Sequence, residues 1–157
     1  MLWIVFALMT VVSWGLYGPL LNKGAIGFEH NRIKAFLFVG VAYFLVAVLL
    51  PALILAVKGE GFVFKPDGIK WSLIAGSMGA IGALTLLFAL SNNPLTQQKQ
   101  PAMAAAQVMS VVFAGAPIVA AVFGIVNNPP KNGLSWGFIA GLVLAAAGGA
   151  LVTLFKP

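Results

Sequence analysis

Thr10, Ser13, Trp14 and Tyr17 stand at i, i+3, i+4 and i+7, a spacing that gathers two hydroxyls, an indole N–H and a phenol onto one helical face. Tyr43, Gln107 and Ser110 place further hydrogen-bonding groups in other apolar stretches, as do Ser77 and Thr85. Such a set can hold a small polar or amphipathic molecule. It can equally act as interhelical glue, each group bonding a neighbouring helix and binding nothing else. Gln107 must find a partner in either case, because an unsatisfied amide in hydrocarbon costs several kcal/mol.

Bond-breaking chemistry needs other residues. The chain has one histidine, three acidic residues and no cysteine. His30 and Glu29 are neighbours, but one imidazole and one carboxylate are too few ligands for a dedicated metal site. Glu60 and Asp67 lie on either side of a Phe-Val-Phe-Lys-Pro turn segment and do not form a catalytic pair by spacing. Without cysteine there is neither a disulfide nor a thiolate ligand. The expectation is a non-enzymatic chain with no cofactor and no metal.

The elements that carry these residues are defined by where charge is missing. No Asp, Glu, Lys or Arg falls within 2–21, 35–57, 71–90, 102–126 or 134–155. Each stretch is about 20 residues or longer, enough to cross a hydrocarbon core roughly 30 Å thick at about 1.5 Å per residue. With 61% hydrophobic and 8% charged residues and a mean hydropathy of +1.04, too little polar surface remains to solvate a globular domain. The pattern predicts an all-α integral membrane protein whose five transmembrane helices form one compact bundle over 1–157 in the lipid bilayer. The first stretch reads as a retained helix, since no basic residue precedes it and Tyr17-Gly18-Pro19 makes a poor cleavage site.

A net charge of +6 and a pI near 10.0 do not point to nucleic acid. The basic residues are spread over the connections and the C-terminus, where lysines snorkel to headgroups. The first span is expected to end at Gly18-Pro19 and Asn22-Lys23-Gly24, and the connection to about Lys34 holds Glu29, His30 and Arg32; the second connection puts Phe62 to Phe64 at the interface. The third carries Asn92-Asn93-Pro94, with Pro101 as a first-turn helical residue, and the fourth, from Asn127 to Gly133, is a tight turn. Trp3, Trp71 and Trp136 lie near span ends, as interfacial anchors do.

Small residues recur every fourth position, which lets helix backbones approach in lipid. The last span has Gly137, Gly141, Ala145, Gly149 and Thr153; the third has Ala75, Gly79 and Ala83; the fourth has Ala106, Ser110 and Ala114. These faces serve intramolecular packing or a dimer seam. Pro117 removes a backbone donor inside the fourth span and is expected to break that helix near mid-membrane.

The order of Trp14-Gly15, a Gly-rich third span ending Leu87-Phe88-Ala89-Leu90-Ser91, an Ala-rich fourth span with Pro117, and a closing Gly137-Phe138-Ile139-Ala140-Gly141 to Ala147-Gly148-Gly149 resembles the EamA-type repeat. That repeat is the five-helix half of the drug/metabolite transporter superfamily, whose members usually carry two inverted copies. The resemblance covers essentially the whole chain and implies alternating access for a small solute, with Trp14 and Tyr17 facing a cavity and Pro117 as the helix break. The chain departs from the family at Asn127-Asn128-Pro129-Pro130-Lys131, where an acidic residue is common.

A single repeat regenerates the full architecture by pairing with an inverted copy of itself. The positive charges allow this. Lys58, Lys65, Lys70 and Lys131 fall on the N-terminal side, against Lys23, Arg32, Lys34, Lys99 and Lys156 on the other, so the positive-inside rule favours neither orientation strongly. The expected protein is a half-size transporter for a small polar or amphipathic metabolite, an antiparallel homodimer in a bacterial cytoplasmic membrane. The alternatives are an accessory subunit of a larger membrane complex and one half of a heterodimeric transporter. No acidic residue lies in a span, so proton coupling through a buried carboxylate is not expected. Reporters fused to the C-terminus should be found on both sides of the membrane; a signal on one side only would remove the inverted pair.

Overall fold

The computed structural model describes residues 2–131 and 133–155. All regular structure among them is helical: α1 (Leu2–Gly27), α2 (Arg32–Phe44), a π-helical turn (Leu45–Leu49), α3 (Leu50–Lys58), α4 (Pro66–Asn92), α5 (Pro94–Gln97), α6 (Pro101–Asn127) and α7 (Trp136–Leu154). With α2, the π turn and α3 forming one continuous rod, five helices are long and apolar enough to span a bilayer. The protein is an all-α integral membrane protein.

The expected spans fall inside these helices, but the helices extend further, except for α7, which is slightly shorter. α1 does not stop at Gly18-Pro19. It runs on through Asn22, Lys23 and Gly24, which the sequence places in a loop. Proline costs this helix only the donor to the Gly15 carbonyl, a loss tolerated in membrane helices. At 26 residues, and about 1.5 Å each, α1 reaches about 39 Å, beyond a core of roughly 30 Å.

Similarly, α6 continues unbroken through Pro117. The expected helix break is therefore absent, and the proline's effect is confined to leaving the Phe113 carbonyl without its i+4 backbone donor. The second span accommodates its proline differently. Pro51 sits in the first turn of α3, immediately after the π turn, where the Leu50 N–H bonds back to the Leu45 carbonyl. The wider turn relieves the pyrrolidine ring against the preceding carbonyls.

Three helix ends close in the same way. The Glu29 N–H bonds to the Ile26 carbonyl and the His30 N–H to that of Ala25; Gly59 and Glu60 do so to Ala56 and Leu55; Lys99 and Gln100 do so to Thr96 and Leu95. These are Schellman closures, which need a left-handed residue after the helix. Gly59 supplies it without strain at φ 67°, whereas Glu29 and Lys99 adopt φ 56° and 60° with a Cβ in place. Helix starts are capped by side chains: Asn31 Oδ1 accepts from the Lys34 N–H (3.0 Å) and Ser135 Oγ from the Phe138 N–H (3.2 Å).

The chain divides into two compact units, Met1–Pro19 with Asn92–Pro157, and Leu20–Ser91. In the first, burial gathers at Gly18, Leu95, the N-terminal half of α6 (Ala104, Ala105, Gln107, Met109) and Gly149. In the second it gathers at Leu21, Asn22, Ala25, Ala35 and the end of α4, where Leu87 and Leu90 are each 1% exposed. There Arg32, in the first turn of α2, places its guanidinium carbon 5.5 Å from the Phe88 ring centroid, and Phe28 stacks on Phe38 at 5.4 Å. Most of the remaining helical surface is apolar and faces outward. Replacing Lys99 with glycine should raise stability by about 0.5–1 kcal/mol, the relief of a left-handed Cβ exceeding the added chain entropy; thermal unfolding in detergent would read the gain.

Candidate functional site

The polar groups of the first unit divide into two sets. One is a buried amide network. Gln107, 9% exposed, donates from Nε2 to the Thr153 carbonyl at 3.0 Å, and its Oε1 accepts from Asn93 Nδ2 at 2.9 Å. Asn93 in turn caps α5, its Oδ1 accepting from the Leu95 N–H at 2.9 Å. Thr153 lies in the last turn of α7, where carbonyls have no helical donor ahead of them, and the amide supplies one. A single side chain thus ties the third connection and the end of α7 to α6.

The network is supported by close backbone approach. α6 and α7 meet where Gly149 faces Ser110 and Ala114. A Cβ at Gly149 would overlap the Ala114 Cβ and lie 3.1 Å from the Ser110 carbonyl oxygen. Gly18 makes a second close contact, since a Cβ there would fall 2.6 Å from Met109 Sδ. The rest of the α7 ladder is used less: Ala145 is half-buried, while Gly137 and Gly141 are exposed with nothing near a Cβ. On α4, in the other unit, Ala83 is buried, whereas Ala75 and Gly79 are exposed. Beside the Gly149 contact runs an open, almost wholly apolar groove of about 280 Å³, lined by Val111, Gly115, Ile118, Ala146 and Ala150 among others.

The second set is the α1 face. Thr10 Oγ1 donates to the Phe6 carbonyl and Ser13 Oγ to that of Met9, both at 2.9 Å. Ser110 Oγ does the same to Ala106 at 2.8 Å, and in the second unit Thr85 Oγ1 donates to Ile81 at 2.9 Å. Each hydroxyl spends its proton on its own helix, leaving only lone pairs outward. Trp14 is 44% exposed, and its ring lies 5.9 Å from that of half-buried Tyr17, tilted by 48°. Tyr43, on α2 in the other unit, is 46% exposed.

Of the residues singled out by the sequence, Trp14 and Tyr17 meet each other, and Gln107 and Ser110 lie one turn apart on the buried side of α6. Both ends of the Gln107 amide are held by protein partners, which makes it a positioning residue in this arrangement. Asn93 and the Thr153 carbonyl are the partners that sequence reading missed. Asn93 precedes a proline, a cap signal, but nothing in the sequence connects it to a glutamine on the next span. Comparison with protein-family models, curated proteins and solved structures finds no match.

Gln107→Ala and Asn93→Ala should each destabilise the protein by about 1–2 kcal/mol, and the double variant by less than their sum. A thermal-unfolding mutant cycle in detergent would check the coupling; strict additivity would show that the two amides act separately. Gly149→Leu should cost more than either.

Proposed function

We propose that the chain is a half-size transporter that works as an antiparallel homodimer, moving a small polar or amphipathic metabolite across a bacterial cytoplasmic membrane. The observation that carries the reading is the α1 face. It presents an exposed indole beside a phenol, with hydroxyl lone pairs one and two turns earlier, in a span that is otherwise largely apolar. An aromatic pair with amphipathic edges suits a solute that is partly apolar and partly hydrogen-bonding.

Three further features support it. The spans keep most of their surface outward, which leaves helix faces for a second copy. The near-even division of basic residues permits both orientations. The resemblance to the EamA-type repeat supplies the scheme in which two inverted five-helix halves enclose a solute path.

A second reading has its own support. The back-bonded hydroxyls and the doubly held Gln107 amide are what a helix-binding accessory subunit would contain, with polar groups serving only as glue. Purification separates the two: a lone dimer favours transport, and a fixed stoichiometry with unrelated chains favours the accessory role.

In reconstituted vesicles, Trp14→Ala and Tyr17→Ala should lower flux of small polar and amphipathic metabolites by about tenfold or more while the dimer persists, as expected for losing about 1.4 kcal/mol of solute contact. Wild-type flux in both variants would remove the α1 face from the solute path.

A further inference from the structure

The connection between α3 and α4 is unlike a solvated loop. After the Gly59 closure the chain runs without helix to Lys65, and Pro66 starts α4. Its middle is Phe62-Val63-Phe64, with exposures of 58%, 92% and 59%. The two phenyl rings pair edge to face at 6.3 Å, so they project together while Val63 stands apart. Three large apolar side chains in water would be unfavourable by roughly 1.5–3 kcal/mol each. The described residues of this unit leave all three uncovered.

The position of the segment says what covers them. It joins the ends of two membrane-spanning helices, Arg32–Lys58 and Pro66–Asn92, so it lies at the boundary of the hydrocarbon core and cannot be far from headgroups. The charges around it match that layer. Lys58 ends α3, Lys65 precedes α4, and Lys70 Nζ lies 5.5 Å from the ring centroid of Trp71, a residue type that favours the interface. Asp67 is in the first turn of α4, where the helix dipole offsets its charge.

A shallow groove follows the first turns of α4, lined by Phe64, Lys65, Gly68, Ile69, Ser72 and Leu73. Its lining is mostly apolar, with Lys65 and Ser72 as its polar members, a composition that suits a lipid chain beside its phosphate.

We infer that Phe62-Val63-Phe64 is an interfacial wedge that inserts into the lipid headgroup layer, with Lys58, Lys65 and Lys70 holding anionic lipid phosphates around it. The inference rests on the membrane-spanning helices alone and stands whether or not the chain transports a solute.

The absence of cysteine makes the test direct. A nitroxide on Val63→Cys, in full-length protein reconstituted into phosphatidylcholine or phosphatidylglycerol vesicles, reports depth by its collisions with oxygen and with a water-soluble nickel chelate. A label on Lys131→Cys, in the turn before α7, gives the reference for a polar connection between two spans. The label at 63 should lose most of the nickel access seen at 131, and should sit deeper in phosphatidylglycerol. Nickel access equal to that at 131 would overturn the insertion. Replacing Lys58, Lys65 and Lys70 together with glutamine should abolish the difference between the lipids, each lysine giving about a fivefold preference for an anionic surface; equal depth in both lipids for the unmodified lysines would overturn the headgroup pairing.

Discussion

Hydrocarbon offers no hydrogen bonds, and most of this structure follows from that fact. Every polar group carried into the bilayer must be met by the protein itself. The hydroxyls of Thr10, Ser13, Thr85 and Ser110 are met by carbonyls one turn back, so none of their protons is left without an acceptor. Gln107 cannot be met locally, because an amide has two donors and an acceptor to satisfy. It therefore draws in an asparagine from the preceding connection and a carbonyl from the last turn of α7, and so sets where α6 and α7 cross.

The same constraint acts on close approach. Lipid tails are as apolar as leucine, so helices associate through fit and polar contact rather than hydrophobicity. The α7 ladder from Gly137 to Thr153 is uniform in sequence but unequal in use, with Gly149 against Ser110 and Ala114 and the earlier glycines facing outward. The difference is the amide network: it sits one turn from Gly149 and pins that end, while the earlier turns carry no polar group to hold them.

The helices were legible because their signal is collective. Twenty residues without charge leave few alternatives, and Pro101 in the first turn of α6 is a local pattern. Helix ends were less legible. The run Asn22-Lys23-Gly24 reads as loop because its residues disfavour the membrane, yet the helix continues beyond the length of the hydrocarbon core until a Schellman turn stops it. Pro117 and Pro51 show why composition misleads at single positions, the first leaving its helix intact and the second displacing its strain into a π turn. The Gln107 partners were invisible for another reason: they lie 14 and 46 residues away, and no spacing rule links them.

The π turn at Leu45–Leu49 has a geometrical outcome of its own. Inserting one residue into a helix of 3.6 residues per turn rotates everything beyond it by about 100°. α2 and α3 are thus collinear but out of azimuthal phase, and a stripe beginning at Ala35 on α2 does not continue along α3. In a soluble amphipathic helix such a slip would turn a buried face to water. Here the residues beyond it, Leu50 to Val57, are apolar on every side, so the rotation costs nothing in solvation. The second span is thus one continuous helix whose faces before and after the turn are offset by about 100°.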